Sequence, residues 1–274
     1  MPTTVDIESQ RMLLGTTPVR KIYHGANLIG TRIAELFAGG VPGVWFDPSD
    51  LSTLYQDAAG TLPVTGVEQP VGLMLDKSGR GNHISQSTTT ARPILRTTSV
   101  GGTQQYYLDF DGVDDFMSTA STANFSTTSE LVAMVAVYVP PDQSARGTLL
   151  ELGTSYANPG CVGMEAPMFT ATAVGMGYRG SGVESARSVS ASKNPIGTVV
   201  FGGTLDLNAP LVQLRVNSIN KQQSTISAGP GPFANATLFL GARNGNNQRF
   251  KGRLYGAVIC GKGVLSPELN SLEQ

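Results

Sequence analysis

The sequence consists largely of short apolar segments that alternate with turns rich in glycine, asparagine and proline. A longer, continuously apolar run at residues 130–139 ends at two prolines, as a central strand buried on both faces would. Strands of this length and spacing are typical of an antiparallel β-sandwich. The sequence therefore predicts an all-β fold. The other segments of this kind are residues 148–152, 161–164, 171–178, 197–207, 212–216 and 236–240.

Composition supports this fold class and excludes several functions. Charged residues are only 14% of the 274, whereas the chain has 33 glycines and 16 prolines, so turns take the place of charged helices. The formal net charge is −1, and no basic run interleaved with aromatic residues is present, which argues against nucleic-acid binding. The N-terminus lacks the basic and apolar regions of a signal peptide, and the apolar run 131–139 is too short to cross a bilayer. We therefore expect neither secretion nor membrane insertion.

The sequence divides into a short N-terminal segment and one large domain. Residues 1–40 contain a β-hairpin pattern that is too short to form a core, so it must pack on the large domain or on another chain. We favour attachment to another chain. A glycine- and proline-rich linker at residues 37–43 precedes the large domain, residues 44–274. The apolar residues expected to make the attachment are Ile22, Tyr23, Leu28 and Ile29.

Two turns carry clusters of polar residues. Residues 107–116 read as an alternating strand whose apolar side chains face a core, while its aspartates must meet solvent, backbone donors or a cation. Residues 76–83 combine glycines with aspartate, serine and asparagine. Both are expected to be structural turns, and Ca²⁺ binding is the alternative. The candidate calcium ligands are Asp76, Asn82 and Asp111. No other cofactor is expected.

The candidate sugar-binding residues are aromatic. Trp45 is the only tryptophan, and its place beside Phe46 at the start of the domain is typical of a core residue; a sugar-stacking platform is the alternative. The candidate carbohydrate-binding residues are Trp45, Tyr156 and Tyr178.

The two cysteines, Cys161 and Cys260, are each flanked by small or β-branched residues, as in buried strands. We expect core thiols, with a disulfide as the alternative. Together with two histidines they do not form the four-ligand pattern of a structural zinc site.

Catalytic patterns are absent from the sequence. A glucanase on such a sandwich commonly carries Glu-x-Asp-x-Glu on one strand, and here the glutamates are scattered singly. The Gly-x-Ser-x-Gly motif of a serine hydrolase is missing, and His83 is the only histidine of the large domain. A Gly-x-Gly-x-x-Gly match at residues 175–180 lies in a β pattern with no following helix. We therefore expect no enzymatic activity.

The order of five segments resembles laminin-G-like, concanavalin A-like domains, and the resemblance covers roughly residues 44–274. It implies a jelly roll of two antiparallel sheets, which in this family often binds carbohydrate or protein and in some members binds Ca²⁺. At the end of the chain, Ser266 as N-cap and Pro267 at the first position predict a short C-terminal helix. The segments that carry the resemblance are residues 76–83, 107–116, 238–243, 250–259 and 265–268.

A second resemblance concerns the block from Gly43 to His83, which follows a short N-terminal β segment and is similar to tailed-bacteriophage and prophage virion proteins. It implies a domain displayed on a head, tail or fibre, assembly in the bacterial host cytoplasm, and an N-terminal segment bound to other virion proteins. We expect a non-enzymatic, homo-oligomeric decoration or fibre protein that binds host surface polysaccharide. The alternatives are a stand-alone glycan-binding lectin and a polysaccharide-degrading enzyme with paired carboxylates across a groove.

Overall fold

A computed structural model describes residues 33–100, 102–155, 157–168, 173–182, 187–192, 197–217 and 219–263, together with the backbone of three short strands before residue 20. The predicted C-terminal helix, Tyr156 and the expected attachment residues lie outside the described residues. Those attachment residues are Ile22, Tyr23, Leu28 and Ile29. Within the described residues, no helix is both long and apolar enough to span a membrane.

The described residues are almost entirely β-structure. One short helix, α1 (residues 33–36), and three single 3₁₀ turns at Ala38–Gly40, Leu51–Thr53 and Thr89–Ala91 are the helical elements of this part of the chain. The strands in chain order are β1 (Thr4–Asp6), β2 (Arg11–Leu14), β3 (Thr17–Val19), β4 (Gly43–Phe46), β5 (Leu54–Tyr55), β6 (Leu73–Met74), β7 (Ile84–Ser85), β8 (Ile94–Val100), β9 (Thr103–Asp111), β10 (Met117–Thr119), β11 (Ala123–Asn124), β12 (Glu130–Val139), β13 (Thr148–Leu152), β14 (Val162–Glu165), β15 (Ala173–Tyr178), β16 (Arg187–Ser192), β17 (Gly197–Asp206), β18 (Leu211–Val216), β19 (Ile219–Ser224), β20 (Asn235–Ala236), β21 (Leu238–Leu240) and β22 (Lys251–Cys260).

Two large antiparallel sheets form a sandwich, which confirms the predicted fold class. The sheet that we call sheet 1 has the order β19-β18-β17-β12-β22-β9-β8, and β4 also pairs with β22. Sheet 2 has the order β16-β15-β14-β13-β21-β10-β7-β6-β5. A small ribbon pairs β11 with β20, and β1, β2 and β3 form a separate three-stranded sheet in the N-terminal segment.

The main hydrophobic core lies between the two sheets. Strand β12 illustrates how the sequence fills it, because every second residue from Leu131 to Val139 faces this core, as the two-residue period of a strand requires. Phe110 and Phe250 also meet there, with ring centroids 6.1 Å apart. The prediction that residues 130–139 form a buried strand is thus confirmed.

A second hydrophobic cluster covers part of the outer face of sheet 1. Helix α1 and the following residue bring Ile33, Leu36 and Phe37 onto Trp45 and onto the outward side chains of β12 and β22. Arg80 also ties this segment down, since its Nη2 donates to the Phe37 carbonyl oxygen at 2.8 Å. The described part of residues 33–40 therefore packs on the sandwich.

Both cysteines are buried free thiols, so the expected core thiols are confirmed and the disulfide alternative is wrong. Burial raises the pKa of the Cys161 thiol to about 12, which keeps it protonated and unreactive at neutral pH. The Sγ atom of Cys260 donates to the Leu36 carbonyl oxygen at 3.3 Å, beneath helix α1.

Candidate functional site

The turn at residues 76–83 is built around a buried carboxylate. Asp76, only 7% exposed, accepts hydrogen bonds from the backbone N–H of Trp45 and of Ser78, both at 2.9 Å, through Oδ1. Its Oδ2 accepts from the Ser78 hydroxyl at 2.7 Å and from the Asn82 backbone N–H at 3.0 Å. The Asn82 side chain is also engaged, because its Nδ2 donates to the Gly43 carbonyl oxygen at 2.9 Å. These contacts fasten the turn to the first strand of the sandwich, as the structural interpretation predicts.

The three candidate calcium ligands cannot share one ion. Asn82 bonds Gly43, which pairs with Cys260 at the end of β22, whereas Asp111 pairs with Lys251 at its start. A ten-residue strand spans about 30 Å, so the two turns lie at opposite ends of the sandwich. The candidate ligands therefore belong to two separate turns, Asp76 and Asn82 in one and Asp111 in the other, and calcium binding at either turn stays a prediction.

Asp111 instead lies near two other acidic residues. Ligand oxygens of Asp111, Asp114 and Asp115 all lie within 4.8 Å of one another. Backbone donors already occupy some of them, since Asp111 Oδ1 accepts from the Val113 N–H at 2.7 Å and Asp115 Oδ2 accepts from the Asp111 N–H at 2.9 Å. Burial raises the pKa of Asp115 to about 6. The turn caps strand β9 as predicted, and calcium binding at Asp111 stays a prediction.

The sequence-predicted stacking residues lie in the protein interior. Trp45 is 9% exposed in the cluster beneath helix α1, and the Nζ of Lys77 lies 4.5 Å from the centre of its ring. Tyr178 is 1% exposed and packs in the main core. A sugar-stacking residue must present a ring face to solvent. Neither ring does so, because both are packed in the interior as hydrophobic side chains.

Two buried glutamates share the outer face of sheet 2. Glu151 pairs with Gly163, two residues from Glu165, so the two are diagonal neighbours on adjacent strands. Arg146 binds Glu165 through Nε at 2.9 Å and Nη2 at 2.6 Å, and Arg243 Nε lies 3.2 Å from Glu151 Oε1. Each glutamate is 1% exposed, and burial raises the pKa of Glu151 to about 7. This arrangement is a buried ion-pair network that a bulky polymer cannot reach.

An accessible group of aromatic and charged side chains lies on the outer face of sheet 1. Its centre is Arg253, whose guanidinium carbon lies 4.8 Å from the centre of the Tyr107 ring and 4.9 Å from that of Tyr138. The rings of Tyr107 and Tyr255 lie 5.4 Å apart and are tilted by 55°. We call Tyr107, Tyr138, Tyr255 and Arg253 the tyrosine–arginine patch. Tyr107 forms its buried base, and the other three are partly exposed.

Strand register creates the tyrosine–arginine patch. Arg253 on β22 lies directly opposite Tyr138 on β12 and Asp109 on β9. A β-bulge follows in β22, because Leu254 pairs with Val137 while Gly256 pairs with Ala136, and the extra residue is Tyr255. Bulges of this kind redirect side chains. Arg253 and Tyr255 are two residues apart on the strand, and both contact Tyr107 on the same face.

A chain of ion pairs borders the tyrosine–arginine patch. Arg96 lies opposite Tyr107 on the neighbouring strand, and its Nε contacts Asp109 Oδ2 at 2.9 Å. The Nη1 of the same arginine contacts Glu68 Oε1 at 2.8 Å. Burial raises the pKa of Asp109, and the two nearby arginines oppose this effect. The border thus supplies fixed donors and acceptors beside exposed aromatic rings.

Sequence reasoning missed this patch, although part of its signal was present. Because Leu108 and Phe110 face the core, the alternation of strand β9 places Tyr107 and Asp109 together on the opposite face. No local pattern joins them to residues more than 140 positions later. Only the pairing of β9 with β22 brings Tyr107 close to Arg253.

Comparison with solved structures identifies the architecture. The chain is similar to the botulinum neurotoxin serotype D ligand-binding domain in complex with N-acetylneuraminic acid, with a TM-score of 0.52 and 10% identity over 72% of this chain and 47% of that chain. The fold is a concanavalin A-like, lectin-like sandwich. The serotype G binding domain matches with a TM-score of 0.52 and 12% identity, over 73% of this chain and 48% of that one. The receptor-binding domain of the mosaic serotype C/D botulinum neurotoxin matches with a TM-score of 0.54 and 9% identity, over 72% of this chain and 46% of that chain.

These similarities show the fold alone, since identities of 9–12% are too low to transfer a function. The chain spans about half the length of the structures that it matches. No protein-family model matches the chain, and no curated protein sequence matches it.

Proposed function

We propose that this protein is a non-enzymatic bacteriophage virion protein, a head or tail decoration or fibre component, whose lectin-like domain binds glycans of the host surface. The tyrosine–arginine patch carries the glycan part of this proposal. Sugar sites combine an aromatic ring, on which the apolar face of a sugar stacks, with a few fixed polar groups that bond hydroxyls. Tyr255 and Tyr138 supply partly exposed rings, and Arg253, Asp109 and Arg96 supply the polar groups.

The lectin-like fold supports glycans as the ligand class to test first. One structure with this fold, the serotype D neurotoxin domain, was determined with a bound sugar, N-acetylneuraminic acid. The patch lies on the outer face of sheet 1, on β9, β22 and β12, and three of its four residues are partly exposed there.

The non-enzymatic part of the proposal rests on the buried glutamates. A polysaccharide hydrolase needs two carboxyl groups that flank the scissile bond. Glu151 and Glu165 share a face, but both are buried and each is bound by an arginine. Release of new reducing ends from a bacterial polysaccharide by the wild-type protein would contradict this part of the proposal.

The virion part rests on the resemblance of residues 43–83 to phage proteins and on the separate sheet of β1, β2 and β3. In this proposal the N-terminal segment binds other virion proteins and the sandwich faces outward. The alternative, a stand-alone lectin, differs in where the protein is found. A cryo-electron microscopy map of assembled particles should show the sandwich on the surface and residues 1–32 in contact with the particle. A particle without this protein would favour the stand-alone lectin.

Glycan binding is tested by screening the wild-type protein against an array of bacterial surface polysaccharides. We expect Tyr255→Ala to weaken binding about tenfold or more, because base or sugar stacking on an aromatic ring contributes about 1–3 kcal/mol. Tyr55→Ala is the matched control, since Tyr55 is a partly exposed strand residue on sheet 2. Equal loss of binding in both variants, or no loss in either, would show that the patch is not the site.

A further inference from the structure

We infer that the glycan is acidic and that Arg253 binds its carboxylate. This inference rests on the proposed function and goes beyond it by naming the ligand class. It starts from the hydrogen-bonding capacity of one side chain. A guanidinium has five N–H donors in a fixed planar fork, and the contacts found for Arg253 are with the faces of the Tyr107 and Tyr138 rings.

Arg253 forms no ion pair with a carboxylate among the described residues, although the charge of nearby Asp109 acts on it. Arg96, by contrast, pairs with both Glu68 and Asp109. Asp109 lies directly opposite Arg253 in the sheet, yet its Oδ2 is held by Arg96 at 2.9 Å. The Arg253 guanidinium is therefore left with unused donors at the centre of the tyrosine–arginine patch.

The two tyrosine rings fix the orientation of that guanidinium. Tyr107 and Tyr138 lie at 4.8 Å and 4.9 Å from its central carbon, the range of cation–π contacts. Stacked in this way, the group loses little further side-chain entropy when it binds a ligand. Its planar fork matches the two oxygens of a carboxylate, which accept two parallel N–H bonds, better than it matches the single oxygen of a hydroxyl.

The rings around Arg253 also favour a sugar over a small inorganic anion. Tyr255 is partly exposed two residues along the strand from Arg253 and contacts the same Tyr107 ring, so a sugar ring can stack on Tyr255 while its carboxylate meets the fork. A uronic or sialic acid unit within a polysaccharide carries both a sugar ring and a carboxylate. The ligand that uses the whole patch is thus a carboxylate-bearing glycan.

Asp109 provides a second test, in which a substitution should strengthen binding of the acidic glycan and not weaken it. Asp109 lies opposite Arg253 on the neighbouring strand, and its carboxylate would repel an incoming carboxylate. Removing this charge in Asp109→Asn should strengthen binding of an acidic glycan about twofold to fivefold. A neutral glycan meets no such repulsion, so it should gain no affinity from the same substitution.

The test compares polygalacturonate with its fully methyl-esterified form, which has the same backbone with its carboxylates capped. We expect the wild-type protein to bind the acidic form at least about tenfold more tightly, in line with about 1.5–3 kcal/mol for a charge-assisted hydrogen bond. Arg253→Met should remove that preference, and Arg253→Lys should restore only part of it. The control is Arg187→Met on the exposed edge strand of sheet 2. Thermal melting checks that each variant is folded.

The outcomes separate this inference from the proposed function. Equal binding of the acidic and esterified polymers, or equally tight binding of dextran sulfate, would overturn the carboxylate assignment while leaving glycan binding intact. Unchanged preference in a folded Arg253→Met protein would overturn the role of Arg253. Binding to no polysaccharide in the wider array would overturn the proposed glycan function and this inference together.

Discussion

At the scale of single residues, burial decides what an aspartate does in this protein. Asp76 and Asp57 each accept several hydrogen bonds within a short turn, but Asp76 is buried against strand β4 and Asp57 lies at the surface. A carboxylate that organises a turn therefore anchors the chain in one place and caps a solvated turn in the other. This difference leads to a prediction about stability.

Asp76→Ala should lower the free energy of unfolding by about 3 kcal/mol, because it leaves the buried N–H of Trp45 without an acceptor and removes bonds to a charged group. Asp57→Ala should cost clearly less, since water replaces the lost acceptor at the surface. Urea unfolding measures both. Equal losses would mean that burial of the Asp76 carboxylate is unimportant.

A second residue-scale prediction concerns pH. Burial raises the pKa of Asp115 to about 6, above its ordinary value of 3.8, so the folded protein holds this proton more tightly than the unfolded chain. The resulting stabilisation is present below pH 3.8 and is lost as the pH rises through 6. Between these limits the wild-type protein should lose about 2 kcal/mol that Asp115→Asn does not lose.

Unfolding curves from pH 3.5 to pH 8 would measure this difference. Glu151, whose pKa is raised to about 7, acts in the same direction in both proteins and cancels in the comparison. Asp206→Asn, at a partly exposed turn, is the control. Parallel pH profiles for the wild type and Asp115→Asn would contradict the prediction.

At the scale of elements, strand β22 organises the molecule. It pairs with β12 on one side and with both β9 and β4 on the other, and its bulge at Tyr255 forms the tyrosine–arginine patch. The other end of β22 pairs with Gly43, the first residue of β4. The fit there is close, because a Cβ on Gly43 would lie 2.3 Å from the Phe37 ring and 2.5 Å from the Ile259 carbonyl oxygen.

Gly43→Ala should therefore destabilise the protein by about 2 kcal/mol, since the backbone of β22 must move to admit the methyl group. Gly66→Ala is the matched control, because a Cβ there has nothing within 4 Å and the backbone is not in the left-handed region. It should be neutral or slightly stabilising. Differential scanning calorimetry of both variants checks the contrast, and similar melting temperatures would contradict it.

At the scale of the whole molecule, the sandwich is expected to fold without the N-terminal segment. Among the described residues, those of the main core lie from Val44 onward, and the cluster on the outer face of sheet 1 begins at Ile33. Deletion of residues 1–32 should leave the melting temperature and glycan binding unchanged. Deletion of residues 1–40 should lower stability by several kcal/mol, about 1.5–3 for each buried apolar side chain that is lost.

The same deletion tests the proposed place of the protein in a virion. The protein that lacks residues 1–32 should remain folded and fail to join particles when it replaces the full chain in a phage-infected host. Quantitative immunoblotting of purified particles measures its incorporation. Incorporation at the wild-type level would show that the sandwich itself, and not the N-terminal segment, makes the attachment.

The sequence by itself determined the fold class, the buried strand β12 and the structural turn at Asp76, because strand alternation and turn chemistry are local properties of the chain. The place of the aromatic residues was decided only by tertiary structure. Trp45 and Tyr178 entered the interior, whereas Tyr138 and Tyr255 remained partly exposed beside Arg253. The physical reason is register: hydrogen bonding between strands distant in sequence sets which side chains share a face, and no local pattern encodes that pairing.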